Sequence, residues 1–278
     1  MRWGRLAAVP LADDTLLATL GHLNYAEFIR ESARWSGLAG DIAEVGGVVM
    51  IASGSTFPVG MNGVMRLDDR VPGADVVARA DRWFGERGRG YSVAVRDTEA
   101  DADLAAAADD AGLLTVVDVP EMVCRERLPD VPPPEGIELR WVDDDEGVAA
   151  FVEVVATSYE TLGFPAEAVR DSITDPARVR TPNVFTVLAL LDGRPVGAAQ
   201  TLLSHGIAGI YWVAALEDVR GRGVGEAVAR AVTNRAFDEG ARANSLQASP
   251  MGEAIYARMG YETLHRYRTV TRFEPAPT

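Results

Sequence analysis

The stretch Val219–Val228, VRGRGVGEAV, places three glycines and two arginines at the mouth of a helical pattern. Val224, Ala227, Val228, Ala231, Val232 and Phe237 form one apolar stripe to about Gly240, so a glycine-rich loop passes directly into an amphipathic helix. Glycines at such a junction have a few distinguishable uses. A dinucleotide fingerprint requires glycine at its first, third and sixth positions, but the sixth is Glu226 counted from Gly221 and Val228 counted from Gly223. A P-loop requires a lysine, and all 27 basic residues are arginine. Two readings remain: a tight strand-to-helix turn, or an anion site in which consecutive backbone N–H groups and the helix dipole face a phosphate.

The rest of the composition narrows the chemistry. A chain of 278 residues with 47% hydrophobic content has the size of two domains. The net charge of -14 disfavours nucleic acid and anionic membranes as partners, since both demand a basic face. Without lysine there is no Schiff base. The single Cys124 excludes a disulfide framework, and His22, His205 and His265 match no zinc spacing, so no metal is expected. No leader-like or membrane-spanning pattern is evident, and the expectation is a cytoplasmic protein.

The proline-rich run Leu128–Gly136, LPDVPPPEG, reads as a linker between domains at 1–131 and 132–278. Beyond it the pattern is α/β. A strand at 136–142 precedes a helix at 147–159 and a short helix at 165–173. Strands at 184–191, 195–203 and 207–216 form a meander, followed by the loop helix and a short strand at 245–248. Ser249 and Pro250 read as N-cap and first residue of a last helix, whose buried face is expected at Met251, Ala254, Ile255 and Met259 with Tyr256 on its flank. A strand at 261–273 then closes the domain.

Arg220, Gly223 and Gly225 in this spacing resemble the acyl-CoA pyrophosphate loop of the GCN5-related N-acetyltransferase (GNAT) superfamily. The strand YWVAAL before the loop, ASP before the last helix and AIYARMGYE at its end extend the resemblance over residues 136–273. It implies an α/β fold with a mixed sheet and acetyl-CoA as co-substrate. Pantetheine would lie beside the backbone of Val213, Ala214 and Ala215, in a gap between splayed strands. The loop of Val219, Arg220, Gly221, Arg222, Gly223, Val224, Gly225 and Glu226 would hold the pyrophosphate, Arg222 by charge and Arg220 by shaping the loop. Glu217 stands where the family commonly has proline. Tyr256 matches the family tyrosine that protonates the departing thiolate. The strand before the loop carries no carboxylate, which leaves His205, Tyr211, Glu160 or a water chain as routes for the amine proton. The implied reaction is direct transfer to a small-molecule amine in a ternary complex, without a covalent acyl-cysteine. A non-catalytic acyl-CoA sensor is the alternative, and a homodimer is left open.

The first half reads as a worn copy of the second at an offset of about 150 residues: Arg70, Gly73 and Asp75 recur as Arg220, Gly223 and Gly225, and Ala111, Gly112, Leu113 as Met259, Gly260, Tyr261. Asp75 and Ala108 stand at the positions of Gly225 and Tyr256, and Pro72 lacks an N–H. The two halves together resemble tandem GNAT-like acyl-CoA N-acyltransferase domains, the first degenerate and poor at binding CoA. The N-terminal apolar run, Leu16, Leu20, Leu23, Tyr25, Phe28 and Trp35, reads as the core face of a helix.

Overall fold

A computed structural model describes residues 11–275; residues 1–10 and 276–278, the outermost positions of the two expected domains, lie outside the described residues. The first half runs α1 (Asp14–Trp35), β1 (Asp41–Val45), β2 (Val48–Ala52), β3 (Asn62–Arg66), α2 (Gly73–Gly85), β4 (Tyr91–Arg96), α3 (Ala102–Asp110) and β5 (Leu114–Cys124). The second half opens with β6 (Ile137–Trp141), α4 (Asp145–Glu160), α5 (Ala166–Ser172) and the one-turn α6 (Pro176–Val179). It then repeats the strand and helix order of the first: β7 (Val184–Leu191), β8 (Arg194–Ser204), β9 (Ile207–Ala215), α7 (Val224–Asp238), β10 (Asn244–Gln247), α8 (Glu253–Met259) and β11 (Glu262–Arg272). Asp192 and Gly193, both at positive φ, make the two-residue turn between β7 and β8.

All eleven strands form one mixed sheet in the order β1-β2-β3-β4-β11-β5-β10-β9-β8-β7-β6. Each half contributes an antiparallel meander followed by a parallel pair, β3 with β4 and β9 with β10. The closing strands are exchanged. β11 pairs with β4 of the first half, β5 pairs with β10 of the second, and the two run antiparallel to each other at the centre. The expected strand at 261–273 therefore exists, but it completes the sheet of the first half.

Alternation along the strands sorts the helices into two outer layers. Val49 and Ile51 join a core with α1, α4 and α5, whereas Val48 and Met50 pack with Val76, Phe84 and Leu104 of α2 and α3 on the opposite face. On that second face α7 and α8 cover β8, β9 and β10. Helix α1 belongs to the core as expected through Phe28 and Trp35, but Leu16 is exposed and Leu20, Leu23 and Tyr25 are only half-buried. It reaches across the halves: Asn24 Nδ2 donates to Leu202 O at 3.0 Å and to Ser204 Oγ at 2.9 Å, while its Oδ1 accepts from Tyr211 at 2.8 Å. Gly209 makes this contact feasible, since a Cβ there would come within 2.1 Å of Asn24 Oδ1.

His22 joins α1 to both central strand groups. Its Nε2 faces the carbonyl of Arg66 and its Nδ1 the hydroxyl of Tyr267, each at 2.7 Å, so the neutral ring donates to Arg66 and accepts from Tyr267. Burial, reinforced by the charge of Arg96, lowers its pKa to about 4. The unfolded chain then binds more protons than the folded one between about pH 6.5 and 4. Stability is accordingly expected to fall by about 3 kcal/mol as the pH drops through that window. Denaturant titrations at pH 7 and 4.5 check this, with His22→Gln expected to abolish most of the difference.

Among the described residues no helix is long and apolar enough to cross a membrane, and no group of three or more His, Cys, Asp or Glu side chains could hold a metal ion.

Candidate acyl-CoA and acceptor site

The opening loop sits at the C-terminal end of β9. A short 3-10 turn at Glu217–Val219 leads into Gly221 at φ +74 and Gly223 at φ +79, both in the left-handed region that favours glycine. Gly223 is the N-cap of α7. Val224 anchors the helix mouth on the sheet: a Cβ on Gly197 of β8 would lie 2.6 Å from Val224 Cγ1, so glycine there permits the close approach.

The loop N–H groups divide into two sets. Those of Val219, Arg220 and Arg222 are spent on the carbonyls of Leu216, Glu217 and Val219. Those of Gly221, Gly223, Val224, Gly225 and Glu226 have no acceptor among the described residues, which leaves a fan of donors at the positive end of α7. Arg220 is turned inward, donating to Ala215 O, Ser158 O and, at 2.6 Å, Thr161 Oγ1; it ties the loop to the end of α4. Arg222 is exposed and makes no ion pair among the described residues. The Glu226 carboxylate pairs with Arg230 at 2.8 Å, so only its backbone faces the loop.

Beside the loop the sheet opens. β10 pairs with β9 only at Asn244–Ala208 and Ser245–Gly209, leaving the edge of β9 from Ile210 to Ala215 without a strand partner on that side. A bulge opposite β8 places Trp212 at φ +54, a conformation costing about 1–2 kcal/mol for a non-glycine residue. Val213, Ala214 and Ala215 line this open edge, and the Ala215 carbonyl already accepts from Ser158 Oγ at 3.1 Å. A notch with one free strand edge, ending at a fan of N–H donors, suits an extended amide chain that terminates in a diphosphate.

Tyr256 lies in the core cluster against which Val213 and Ala215 of β9 pack, with a different helix phase from the expected one. Ser249 caps a turn through Gly252 rather than a helix, α8 starts at Glu253, and Met251 and Ala254 are exposed while Tyr256 and Met259 are buried. Seven residues are too few to fix a helical phase from apolar spacing alone. Tyr256 packs in the core beneath α7, its hydroxyl bonds to nothing among the described residues, and burial pushes its pKa up, with Tyr159 adding to the shift. Tyr159 itself lies against Trp212 of β9, ring centroids 5.3 Å apart.

The other proton routes considered from sequence lie elsewhere or are engaged. His205 is in the β8–β9 turn at the opposite end of β9, Glu160 is exposed, and the Tyr211 hydroxyl is committed to Asn24. Cys124 is buried and its thiol is pushed up to about 11 by burial.

The matching place in the first half is plugged. The N–H of Gly73, at the mouth of α2, donates to Asp103 Oδ2 at 2.7 Å, so a carboxylate of α3 occupies the anion position. A Cβ on Gly73 would lie 2.5 Å from Leu104 Cα, showing how closely α3 covers the loop. Arg66, fully buried, holds Asp101 and Asp103 at 3.0 and 2.9 Å. Burial alone would raise the Asp101 carboxyl, yet Arg96 and Arg66 hold it down at about 2. Arg70, unlike Arg220, is exposed and paired with Asp68. Asp75 is exposed in the first turn of α2, and Ala108 is buried in the core.

Residues 142–261 match the sequence model of the Acetyltransferase (GNAT) family. No curated protein matches the sequence. Among solved structures, a GCN5-related N-acetyltransferase from Kribbella flavida is similar over 91% of this chain and 96% of its own, with 20% identity and a TM-score of 0.67. One from Sphaerobacter thermophilus is similar over 98% and 96%, at 19% identity and a TM-score of 0.58. A tandem GNAT protein from the clavulanic acid biosynthesis pathway is similar over 97% and 98%, at 17% identity and a TM-score of 0.59. These likenesses extend across both halves and concern the fold. Residues 142–261 thus match a GNAT-family domain, and the two halves together share the fold of tandem GNAT proteins.

Proposed function

We propose that the second half transfers an acetyl group from acetyl-CoA to the primary amine of a small molecule, by direct attack in a ternary complex. The observation that carries this reading is the set of free N–H groups at Gly221 and Gly223–Glu226 beside the open edge of β9, with Tyr256 in the core cluster that Val213 and Ala215 join. Pyrophosphate, pantetheine and thioester would follow one another along that line. Arg222 would add charge at the outer end, while Arg220 keeps the loop in shape. The neutral amine attacks the thioester carbonyl carbon, the C–S bond breaks, and the leaving thiolate takes the Tyr256 proton. The amide nitrogen then returns its surplus proton to the phenolate. Burial keeps the phenol protonated at neutral pH, so it enters the step with a proton to give.

Tyr256→Phe is expected to lower turnover by about 10–100-fold, at or below the lower end of the range for general acid catalysis, with little change in acetyl-CoA affinity. CoA release across a panel of primary amines, together with calorimetric binding, provides the test. An unchanged rate in the variant would remove Tyr256 from the mechanism. Acetyl-CoA binding without turnover of any amine would favour a sensor.

A further inference from the structure

The exchange of closing strands carries a carboxylate from the first half into the sheet of the second. Glu121 of β5 stands opposite Gln247 of β10 on one side and His265 of β11 on the other. It is completely buried, and neither carboxylate oxygen accepts a hydrogen bond. His265 Nε2 lies 3.0 Å from Oε2 without hydrogen-bond alignment and is itself unsatisfied, as is Gln247 Nε2. Several orphaned polar atoms thus meet on three adjacent strands, where the energetic rule is that buried polar groups are paired.

The surroundings make this a place for a cation. Burial pushes the Tyr25 phenol of α1 up to about 12, with the Glu121 charge adding to it, and burial likewise raises Tyr211 of β9 and Tyr267 of β11, each also affected by Glu121. The carboxylate stands beside His265 of β11 and Ser245 and Gln247 of β10, on the face where the rings of Tyr25 and Tyr267 meet at 5.5 Å, and no arginine hydrogen-bonds or ion-pairs with it among the described residues. Gly21 of α1 lets the helix pack directly on this carboxylate, since a Cβ there would fall 2.3 Å from Glu121 Oε1. β10 bounds the notch in which the thioester is placed, and half-buried Tyr25, Trp212 and Tyr159 lie on the same face of the sheet, opposite α7.

We propose that Glu121, supplied by the first half, receives the ammonium group of the acceptor and takes its proton. The acceptor class is a primary ammonium joined to a flat apolar body, the latter against the aromatic side chains. One N–H bond of the ammonium breaks, the proton passes to a Glu121 oxygen, and the electron pair left on nitrogen attacks the thioester. After release of the amide the proton leaves to solvent. The assignment rests on acetyl transfer in the second half and supplies the carboxylate that β9 lacks.

The test compares wild type, Glu121→Gln and Gly21→Ala with 2-phenylethylamine and other primary arylalkylamines as probes, with acetyl-CoA affinity measured separately. Glu121→Gln is expected to lower kcat/KM for the amine about 100-fold, remove the acidic limb of its pH profile, and leave acetyl-CoA affinity within twofold. Its Tm should be unchanged or raised, because an unpaired buried carboxylate is lost. Gly21→Ala, which drives a methyl into the place of Oε1, should reduce the same rate. An unchanged rate and profile in Glu121→Gln would overturn the proposal. So would a lower Tm with lost acetyl-CoA binding, which would mark Glu121 as structural, or a wild type that binds acetyl-CoA and acetylates none of these amines. Failure of wild type to bind acetyl-CoA would instead remove the transferase reading on which the proposal depends.

Discussion

Residues 132–278 expressed alone are expected to yield no folded protein that binds acetyl-CoA. The family match at 142–261 invites such a fragment, but the sheet does not end where the match does. Without the first half, β10 loses β5, its antiparallel partner along its whole length, and β11 loses both β4 and β5. Two strands would then present bare edges, the usual template for aggregation. The face of β8 and β9 now covered by α1 would also be exposed, leaving Leu202 O, Ser204 and the buried Tyr211 without Asn24. Removal of Leu128 strips Asn234 of α7 of two backbone hydrogen bonds, at 2.9 and 3.1 Å. Soluble yield, circular dichroism and calorimetry check the expectation. Co-expression with residues 1–131, which carry β5 and α1, should restore binding. A lone fragment that bound acetyl-CoA as the full chain does would show that the exchanged strands are dispensable.

The loop is legible in the sequence and the exchange of strands is not, because the forces that set them differ in range. The β7–β8 turn, the meander and the helix after Gly223 are set by neighbours within a few residues: positive-φ turn positions, alternation, and a long apolar stripe. The internal duplication was legible for the same reason, since order and spacing repeat along the chain. Which strand lies beside β4 or β10 is a non-local choice. β5 and β11 occupy equivalent places in their halves, and either could satisfy the same edge. No local pattern marks Glu121, because its neighbours Gln247 and His265 are fixed only by that choice. In α8, a helix of seven residues, the apolar spacing did not determine that Tyr256 points inward. The plug formed by Arg66 and Asp103 also joins residues that no local pattern relates.

Gly223→Glu is expected to weaken acetyl-CoA binding by about 10³-fold while leaving the fold intact, because losing two charge-assisted hydrogen bonds costs roughly 3–6 kcal/mol. The substitution acts in two ways. At φ +79 a side chain strains the backbone from which Gly221 and Gly223–Glu226 present their N–H groups, and its Cβ would sit 3.3 Å from Pro134 Cγ. The added carboxylate would then occupy the positive end of α7 as Asp103 does at α2, turning the second loop into a likeness of the first. The same reasoning fixes the stoichiometry. Wild type should bind one acetyl-CoA per chain, and Asp75→Gly should still bind one, because the obstacle in the first half is the Asp103–Arg66 plug over Gly73 and not the charge on Asp75, which is exposed. Titration calorimetry on the three proteins separates these statements. A second site in wild type would mean that the plug yields to ligand, a second site appearing only in Asp75→Gly would make that carboxylate the barrier, and undiminished binding in Gly223→Glu would place the pyrophosphate away from the mouth of α7.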